Sequence, residues 1–434
     1  MDQLKSLKEV EHFGGVISDK LEALYLDGTA IKELPCDIGR LQRLVLLNMK
    51  GCKKLKRLPD SLGQLKVLEE LILSGCSKLN EFPETWGNMS RLEILLLDET
   101  AIEEMPKILS VRRLCLSKNE KISRLPDLIN KFSQLQWLDL KYCKNLTHVP
   151  QLPPNLQCLN VHGCSSLKTV AKPLVCSIPM KHINSTFIFT NCNELEQAAK
   201  EEIVAYAERK CHLLSSALKR CDESCVPEIL FCTSFPGCEM PSWFSHDAIG
   251  SMVEFEFPPH WNHNRLSGIA LCVVVSFQNC QNHANLTVKF SCEPNNGESS
   301  CTSITWKVGS LIEQDNQEET VESDHVFIGY TNCLDFIKLV EGQGPRICAP
   351  TKASLEFSVT ENRVSSPRND EVKGKIKING TRSANGCFKD QAVGNESPKG
   401  QWQTYIETSS TNIPGINGFN GIYSALRAYE MYND

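Results

Sequence analysis

The side chains here that have the means to do chemistry are chiefly thiols and imidazoles: the chain holds 21 Cys and 10 His. Cys52, Cys76, Cys143 and Cys164 share one local frame, a cysteine followed three residues later by leucine. Thiols of this kind can ligate zinc, pair as disulfides or attack as nucleophiles. Zinc needs close pairs, and these four lie far apart, at intervals that follow no zinc pattern. Cys221 and Cys225 are close to one another, yet no second pair accompanies them, so they read as free thiols. His260 and His263 sit three apart in a proline-broken stretch without nearby paired carboxylates, and His246 stands alone, so all three read as structural or exposed. Ser245, His246 and Asp247 are the residue types of a triad, but adjacent residues cannot hydrogen-bond in series as a triad requires. Phosphate binding by a G-x-x-x-x-G-K-[ST] loop is excluded, since no such segment occurs. The expectation is a protein with no catalytic, cofactor-binding or metal-binding residues.

The shared cysteine frame belongs to a larger pattern. Segments beginning at residues 21, 44, 68, 92, 111, 135 and 156 each read L-x-x-L-x-L, then a small polar residue, then another apolar residue and usually proline. That length and pattern define leucine-rich repeats. Each L-x-L is expected to be a short strand whose leucines turn inward, and neighbours must stack to bury them. The ninth position of each repeat is Thr29, Cys52, Cys76, Thr100, Asn119, Cys143 or Cys164. A small side chain there turns inward and meets backbone groups where the chain leaves the strand. The cysteines are therefore wall residues.

Between the leucines, the alternate strand positions face outward on the concave surface. They are Tyr25, Asn48, Ile72, Leu96, Cys115, Asp139 and Asn160, flanked by Arg112, Arg113, Trp137 and Tyr142. Ile72 and Leu96 are expected to be exposed without a core to fill, and exposed apolar patches mark interfaces. Tyr25, Asn48, Ile72, Leu96, Arg112, Arg113, Trp137, Asp139, Tyr142 and Asn160 are thus the candidate partner-binding residues. The competing reading is a contact within the molecule, with the domain that follows.

The chain divides by pattern. Residues 1–20 hold a partial repeat with no capping motif, which suggests an array cut off at its N-terminus; 21–172 hold the repeats. Residues 173–227 read as a linker with one amphipathic helix over 191–221, Asn193 being a cap candidate. From 228 to 360 short apolar runs such as "EILFC", "SMVEFEFP" and "GIALCVVVSF" alternate with Gly, Pro and Asn, as in an all-β sandwich or jelly roll. Trp243 and Phe244 are expected to pack beneath it. The acidic stretch 313–324 reads as a solvated loop. Residues 361–434 are rich in Gly, Ser and Asn and read as a divergent, largely flexible tail, with a short helix at 421–432. The fold class is an α/β leucine-rich-repeat solenoid followed by an all-β sandwich of jelly-roll/Ig-like type. A net charge of −6 gives no case for nucleic acid or an anionic membrane surface. The charged N-terminus is no secretory signal, and the N-x-[ST] tripeptides at Asn88, Asn145, Asn184, Asn285, Asn379 and Asn395 read as chance. Dispersed, odd-numbered cysteines point to reduced thiols, hence to cytoplasm or nucleus.

The segments 235–261 ("FPGCEMPSWFSHDAIGSMVEFEFPPHW"), 268–277 ("GIALCVVVSF") and 323–330 ("SDHVFIGY"), in that order after "TAIxELP" and "GCxxLxxLP" repeats, resemble one family. It is the class of plant intracellular immune receptors built from TIR, nucleotide-binding and leucine-rich-repeat domains, whose last domain is a C-terminal jelly-roll/Ig-like domain. The resemblance covers about residues 20–360. It implies recognition of a pathogen effector or a guarded host protein by the concave repeat face and the post-repeat domain together, with other receptor chains as further partners. The TIR domain with its catalytic glutamate and the nucleotide-binding switch have no counterpart here, so the resemblance implies a truncated, non-enzymatic receptor portion. Two other classes compete. An extracellular repeat ectodomain predicts a signal peptide, paired cap cysteines and "SGxIP" repeats. A hydrolase in the β domain predicts a cleft of convergent titratable groups.

Overall fold

The computed structural model describes residues 20–175 except 84, 85 and 88, residues 185–218 and 229–244, the later strands, and residues 323 and 324. Cys221, Cys225, Ser245, His260, His263, most of the 313–324 stretch and the segment 421–432 lie outside the described residues. Among the described residues no helix is long and apolar enough to cross a membrane.

The leucine spacing is realised as a ladder of three-residue strands: β1 (Ala23–Tyr25), β2 (Leu46–Asn48), β3 (Glu70–Ile72), β4 (Ile94–Leu96), β5 (Arg113–Cys115) and β6 (Trp137–Asp139). After the two-residue β7 (His148–Val149) come β8 (Cys158–Asn160), the two-residue β9 (Thr169–Val170) and β10 (Ser185–Ile188). β1 to β6, β8 and β10 pair in parallel without a register slip. Leu24, Leu47, Leu71, Leu95, Leu114, Leu138, Leu159 and Phe187 hold the central position of successive strands, and all are buried. No single repeat encloses them, so burial of each leucine, about 1.5–3 kcal/mol, is gained only on stacking. The repeat prolines open the convex turns: Pro35, Pro59 and Pro126 each sit just before a one-turn 3-10 helix, at Cys36–Arg40, Asp60–Gln64 and Asp127–Lys131. Their ring fixes φ near the helical value and removes an amide that such a turn would leave unbonded.

Two columns stitch the stack. One is the ninth position. Cys52, Cys76, Cys143 and Cys164 are fully buried, and each Sγ donates to a carbonyl of the preceding repeat, Leu26, Met49, Leu116 and Leu140, at 3.1–3.2 Å. Asn119 does more: its amide donates to Leu97 and Leu116, both at 2.8 Å, and accepts from Thr100 N–H at 3.0 Å and Thr100 Oγ1 at 2.7 Å. The other column is the residue just before it: Gly28, Gly51, Gly75, Glu99, Lys118, Tyr142, Gly163 and Asn191 all take φ between 54° and 74°. That left-handed turn swings the ladder side chain inward, and its N–H donates to the next repeat. Gly28 bonds Lys50 O at 2.7 Å, Gly75 bonds Asp98 O at 2.8 Å and Gly163 bonds Thr190 O at 2.9 Å.

The parallel pairing runs past the end of the leucine spacing. β10 carries Phe187 inward, and Phe189 and Cys192 follow in the positions of a leucine and a ladder cysteine; Cys192 Sγ donates to Val161 O at 3.1 Å. The single α-helix of the described residues is α1 (Gln197–Leu218), which begins later than the sequence periodicity suggests; residues 219–221 of the expected helix lie outside the described residues. Its apolar face, with Ala199, Ile203, Tyr206, Ala207, Cys211 and Leu214, is buried. Tyr206 stacks on Phe187 at 4.9 Å between ring centroids and meets Phe231 edge-on at 5.9 Å. Glu202 fastens α1 to the solenoid by accepting from Leu174 N–H at 3.0 Å.

Then the sheet changes sense. The strands that follow are β11 (Ile229–Pro236), β12 (His246–Ile249), β13 (Met252–Glu256), β14 (Gly268–Val275), β15 (Cys280–Gln281), β16 (Ala284–Glu293), β17 (Thr302–Ser310), β18 (Thr320–Val321), β19 (His325–Asn332), β20 (Lys352–Glu361) and β21 (Lys375–Asn379). β11 joins β10 in parallel, and from β11 the same sheet goes on antiparallel through β19, β14, β21 and β12. β13, β20, β16 and β17 form a second, antiparallel sheet, and β17 lies against β11. The inward row of the repeats passes from Phe187 through the buried Thr233 to Ile328 and Cys272, and Phe231, Tyr330 and Ala270 form the neighbouring row; the apolar members share one core with the leucines and α1. Phe244 belongs to that core, with Trp243 stacked on it.

Candidate functional site

The parallel register lays the concave side chains in two rows. The first runs Ala23, Leu46, Glu70, Ile94, Arg113, Trp137, Cys158 and Thr186, one residue per strand, and every member is partly exposed. The second runs Tyr25, Asn48, Ile72, Leu96, Cys115, Asp139 and Asn160. This second row holds the sequence candidates, and its exposure collapses along the array. Tyr25 is 41% exposed and Asn48 is partly exposed, but Ile72, Leu96, Cys115, Asp139 and Asn160 are buried.

The expectation that Ile72 and Leu96 are exposed is therefore corrected. In-register strands bring Ile72, Leu96 and Cys115 into one small cluster of their own, closed at its edge by Ile94 and Trp137. Strand alternation says which face a side chain takes, not how deeply its neighbours cover it. Asn48, Asp139 and Asn160 serve the turn instead of presenting their polar ends to a partner. Each accepts from the N–H two residues on, at Lys50 (2.9 Å), Lys141 (3.0 Å) and His162 (3.1 Å). Such side-chain turns prepare the left-handed residue that follows. Asp139 also pairs with the buried Lys141 ammonium at 3.8 Å.

Tyr142 is corrected too. It is 7% exposed, its ring meets His162 edge-on at 5.2 Å, and it lies directly over Gly163. A β-carbon at Gly163 would collide with the Tyr142 ring, so the glycine here serves the aromatic as well as the backbone. Tyr142 is thus part of the fold's rim and not a side chain spared for a partner.

Trp137 and the two arginines are accessible, unlike the buried candidates. Trp137 is partly exposed over the Ile72–Leu96–Cys115 cluster, and the Arg113 guanidinium lies 5.3 Å from its ring centroid. A cation stacked on indole is worth about 0.5–1 kcal/mol at an exposed site. Arg112 is exposed and reaches Glu93 of the preceding repeat at 3.8 Å, a long contact that leaves the guanidinium available. Ile94, Arg112, Arg113 and Trp137 form the most chemically distinct accessible patch of the concave face, an aromatic and apolar surface rimmed by cations.

The thiols of the repeats differ in acidity: hydrogen bonds with Cys76 and Thr29 lower Cys52 to about 7, while Cys76, Cys115, Cys143 and Cys164 are raised. Burial, with the charges of Asp98 and Asp139 beside it, pushes the Cys115 thiol well up, so no thiolate is poised there. Burial pushes Cys143 up to about 12, and the contact with Cys52 together with burial raises Cys76. Asp98, partly buried, is raised by desolvation although Ser74 Oγ donates to it at 2.6 Å. Among the described residues no group of three or more His, Cys, Asp or Glu side chains is placed to hold a metal.

In-register parallel strands, inward leucines and a stitched ladder make this chain a leucine-rich-repeat protein. It belongs more closely to the disease-resistance branch of that class. The family model described as "Disease resistance protein RPS4B-like, leucine-rich repeats" matches residues 3–194, and the C-JID domain model matches 235–383, together more than half of the chain. The Disease resistance-like protein CSA1 of Arabidopsis thaliana is 84% identical over 450 residues, which cover 96% of this chain and 38% of that protein. The Arabidopsis thaliana Disease resistance protein RPS4 is 55% identical over 80% of this chain and 28% of its own length, and RPS4B is 51% identical over 80% and 30%. The chain thus spans 28–38% of the length of these curated relatives. Among solved structures, the leucine-rich repeat domain of the type III effector XCV3220 (XopL) aligns over 42% of this chain and 68% of that one, at 22% identity and a TM-score of 0.34.

Proposed function

We propose that this chain is the non-catalytic recognition portion of a plant immune receptor, binding a pathogen effector or a guarded host protein through the patch of Ile94, Arg112, Arg113 and Trp137. The observation that carries the reading is Trp137 lying partly exposed above an apolar cluster with Arg113 on its face. Aromatics and arginines in a half-buried setting are the usual anchors of protein interfaces. The kinship with disease resistance proteins supports an immune role. The strands after α1 fit a β-sandwich of jelly-roll/Ig-like type, built from the continuing sheet and the second, antiparallel one. Cytoplasm or nucleus suits the many free thiols among the described residues.

The test is a binding screen of the purified chain against a panel of effector proteins, followed by the double substitution Trp137→Ala with Arg113→Ala. At least tenfold weaker binding is expected for a partner that uses this patch, with little change in the melting temperature, because neither side chain is in the main core. The reading fails if the panel yields no binder, or if every binder holds the double variant as tightly as the parent chain.

A further inference from the structure

The left-handed turns obey one bonding rule until the last of them. In each repeat the turn residue donates its N–H to the next repeat, two residues beyond the acceptor used by the strand end. Leu26 N–H goes to Asn48 O and Gly28 N–H to Lys50 O; Val161 N–H goes to Ile188 O and Gly163 N–H to Thr190 O. At the final repeat the strand end still obeys, with Phe189 N–H bonding Ser234 O of β11 at 2.8 Å. The rule then calls for the carbonyl of Pro236. Instead Asn191 N–H is met at 3.0 Å by the Nε2 of His325, 134 residues away at the start of β19. His325 pairs across the sheet with Pro236, so its ring stands where the missing repeat would have placed a carbonyl.

We infer that His325 is the end cap of the repeat stack, and that it closes the junction between the repeats and the strands that follow only while its imidazole is neutral. The protonation pattern follows from the geometry. Nε2 accepts from Asn191, and Nδ1 lies 2.8 Å from Ser323 O, an acceptor only, so the proton must sit on Nδ1. A second proton would go on Nε2, turning it toward Asn191 N–H as donor against donor. The ring is fully buried, which leaves water no route to take over the lost bond. The Ser323–His325 segment is tied in twice more, through Ser323 Oγ near Asn193 Oδ1 at 3.4 Å and Gly237 N–H to Asp324 O at 2.8 Å.

The charged surroundings favour the neutral ring on balance. Burial lowers the His325 pKa from 6.5; the Ser323 carbonyl and the Asp324 carboxylate oppose that, and Lys200 on α1 adds to it. The strands on either side, β11 and β14, bring only the titratable thiols Cys232 and Cys272, both buried and further along the strands. A histidine with a lowered folded value contributes its stability in full above the unfolded value of about 6.5. That contribution is lost as the pH falls below 6.5 toward the folded value.

Hydrogen exchange of the peptide spanning 189–196 tests this, with rates scaled to the intrinsic rate at each pH. Exchange is followed at pH 7.5 and 5.5 in the parent chain, His325→Gln and His325→Ala. Glutamine can present an acceptor oxygen near the Nε2 position and does not titrate. The parent and the glutamine variant should be equally protected at pH 7.5, and the alanine variant at least tenfold less. At pH 5.5 the parent should lose protection several-fold, up to the roughly tenfold that one proton with an unfolded value near 6.5 allows over this interval, and the glutamine variant should keep its protection. Equal scaled protection of the parent at both pH values would overturn the inference, and so would a glutamine variant that follows the parent. Should the variants not fold, nitrogen chemical shifts of the labelled parent decide. A His325 proton on Nδ1 at pH 7.5, with a folded-state midpoint below 6.5 and protection falling between 6.5 and that midpoint, supports the cap; a proton on Nε2 or a midpoint at or above 6.5 refutes it.

Discussion

The glycine-cysteine repeats and the middle repeats trace the same turn with different chemistry. At Gly51–Cys52, Gly75–Cys76 and Gly163–Cys164 the left-handed position is glycine and the ladder residue is a thiol donating to a backbone carbonyl of the preceding repeat, with Thr29 Oγ1 also 3.2 Å from the Cys52 sulfur. At Glu99–Thr100 and Lys118–Asn119 the left-handed position carries a full side chain and the ladder is an amide network. Glycine makes the turn cheap and lets neighbours approach closely: a β-carbon at Gly75 would lie 3.5 Å from Gly51 Cα. It also leaves the rim bare. The middle repeats bear strain at the turn and in return place charge on the rim, with Lys118 Nζ 3.0 Å from Glu99. The decorated rim flanks the strands that hold Arg113 and Trp137, so local strain and the proposed binding patch fall in the same repeats, as is common at functional surfaces.

Breaking the ladder in each region should separate the two chemistries most widely. Asn119→Ala removes a side chain that satisfies four buried groups, two carbonyls and both the N–H and hydroxyl of Thr100. Leu97 O keeps Thr100 Oγ1 as a donor and Leu116 O keeps the Cys143 thiol, so the Thr100 N–H is the group left unpaired, and with the lost bonds and the small cavity the change should cost about 2–4 kcal/mol. Cys143→Ala removes one weak S–H donor and a small volume, and should cost about 1–2 kcal/mol. Urea denaturation of the two variants compares them directly. Equal losses would mean that the amide network is no more than another wall residue.

A second contrast concerns charge. The position after the strand holds Ser74 in one repeat and Asp98 in the next, the first donating to the second. Desolvation raises the Asp98 pKa above 3.8, with Glu99 adding to the rise and Lys50 opposing it. A raised folded value means that stability is full below the unfolded pKa and falls as the pH rises through the folded value. At neutral pH the carboxylate is therefore a liability. Asp98→Asn keeps an acceptor for Ser74 and should stabilise the chain by about 0.5–2 kcal/mol at pH 7.5. The gain should vanish as the pH falls toward 3.8. Denaturation at pH 7.5 and at pH 4 decides it, and an equal gain at both would show that charge is not the cause.

Much of this was legible in the sequence because it is periodic. The leucines, the ladder cysteines and the turn prolines recur at fixed offsets, and each recurrence constrains the next. The strand at 185–188 was harder to see because Phe187 and Phe189 stand where leucines would, though "FIFTNCNEL" keeps the spacing and ends the ladder at Cys192. The depth of Ile72 and Leu96 could not be read, since it depends on which side chains of other strands close over them. Glu99 and Lys118 fall where other repeats have glycine, so their left-handed backbone was visible by alignment. His325 and Asn191 are joined by no spacing rule at all. Only the change of β11 from a parallel to an antiparallel neighbour brings them together.

The finest difference lies in the turn itself, and two reciprocal substitutions measure it. The left-handed conformation costs an ordinary residue about 1–2 kcal/mol, while glycine loses about 0.4–1 kcal/mol more chain entropy on folding. Lys118→Gly should relieve the first and incur the second, and it also removes the Glu99 ion pair. That pair joins a mostly covered lysine to an exposed glutamate and is worth at most about 1 kcal/mol. At low salt the terms nearly cancel. In molar salt the ion pair is screened in the parent, so Lys118→Gly should become the more stable chain by about 0.5 kcal/mol. Lys118→Ala keeps the strained turn and loses the pair, and should lie about 0.5–1 kcal/mol below the glycine variant at any salt concentration. The converse change, Gly51→Ala, has room for its methyl, whose nearest heavy atom is Gly28 at 3.9 Å, so its cost should be conformational alone, about 1 kcal/mol. If Lys118→Gly and Lys118→Ala melt together while Gly51→Ala is silent, the left-handed turn is not what distinguishes the two kinds of repeat, and the rim charges must be explained by binding alone.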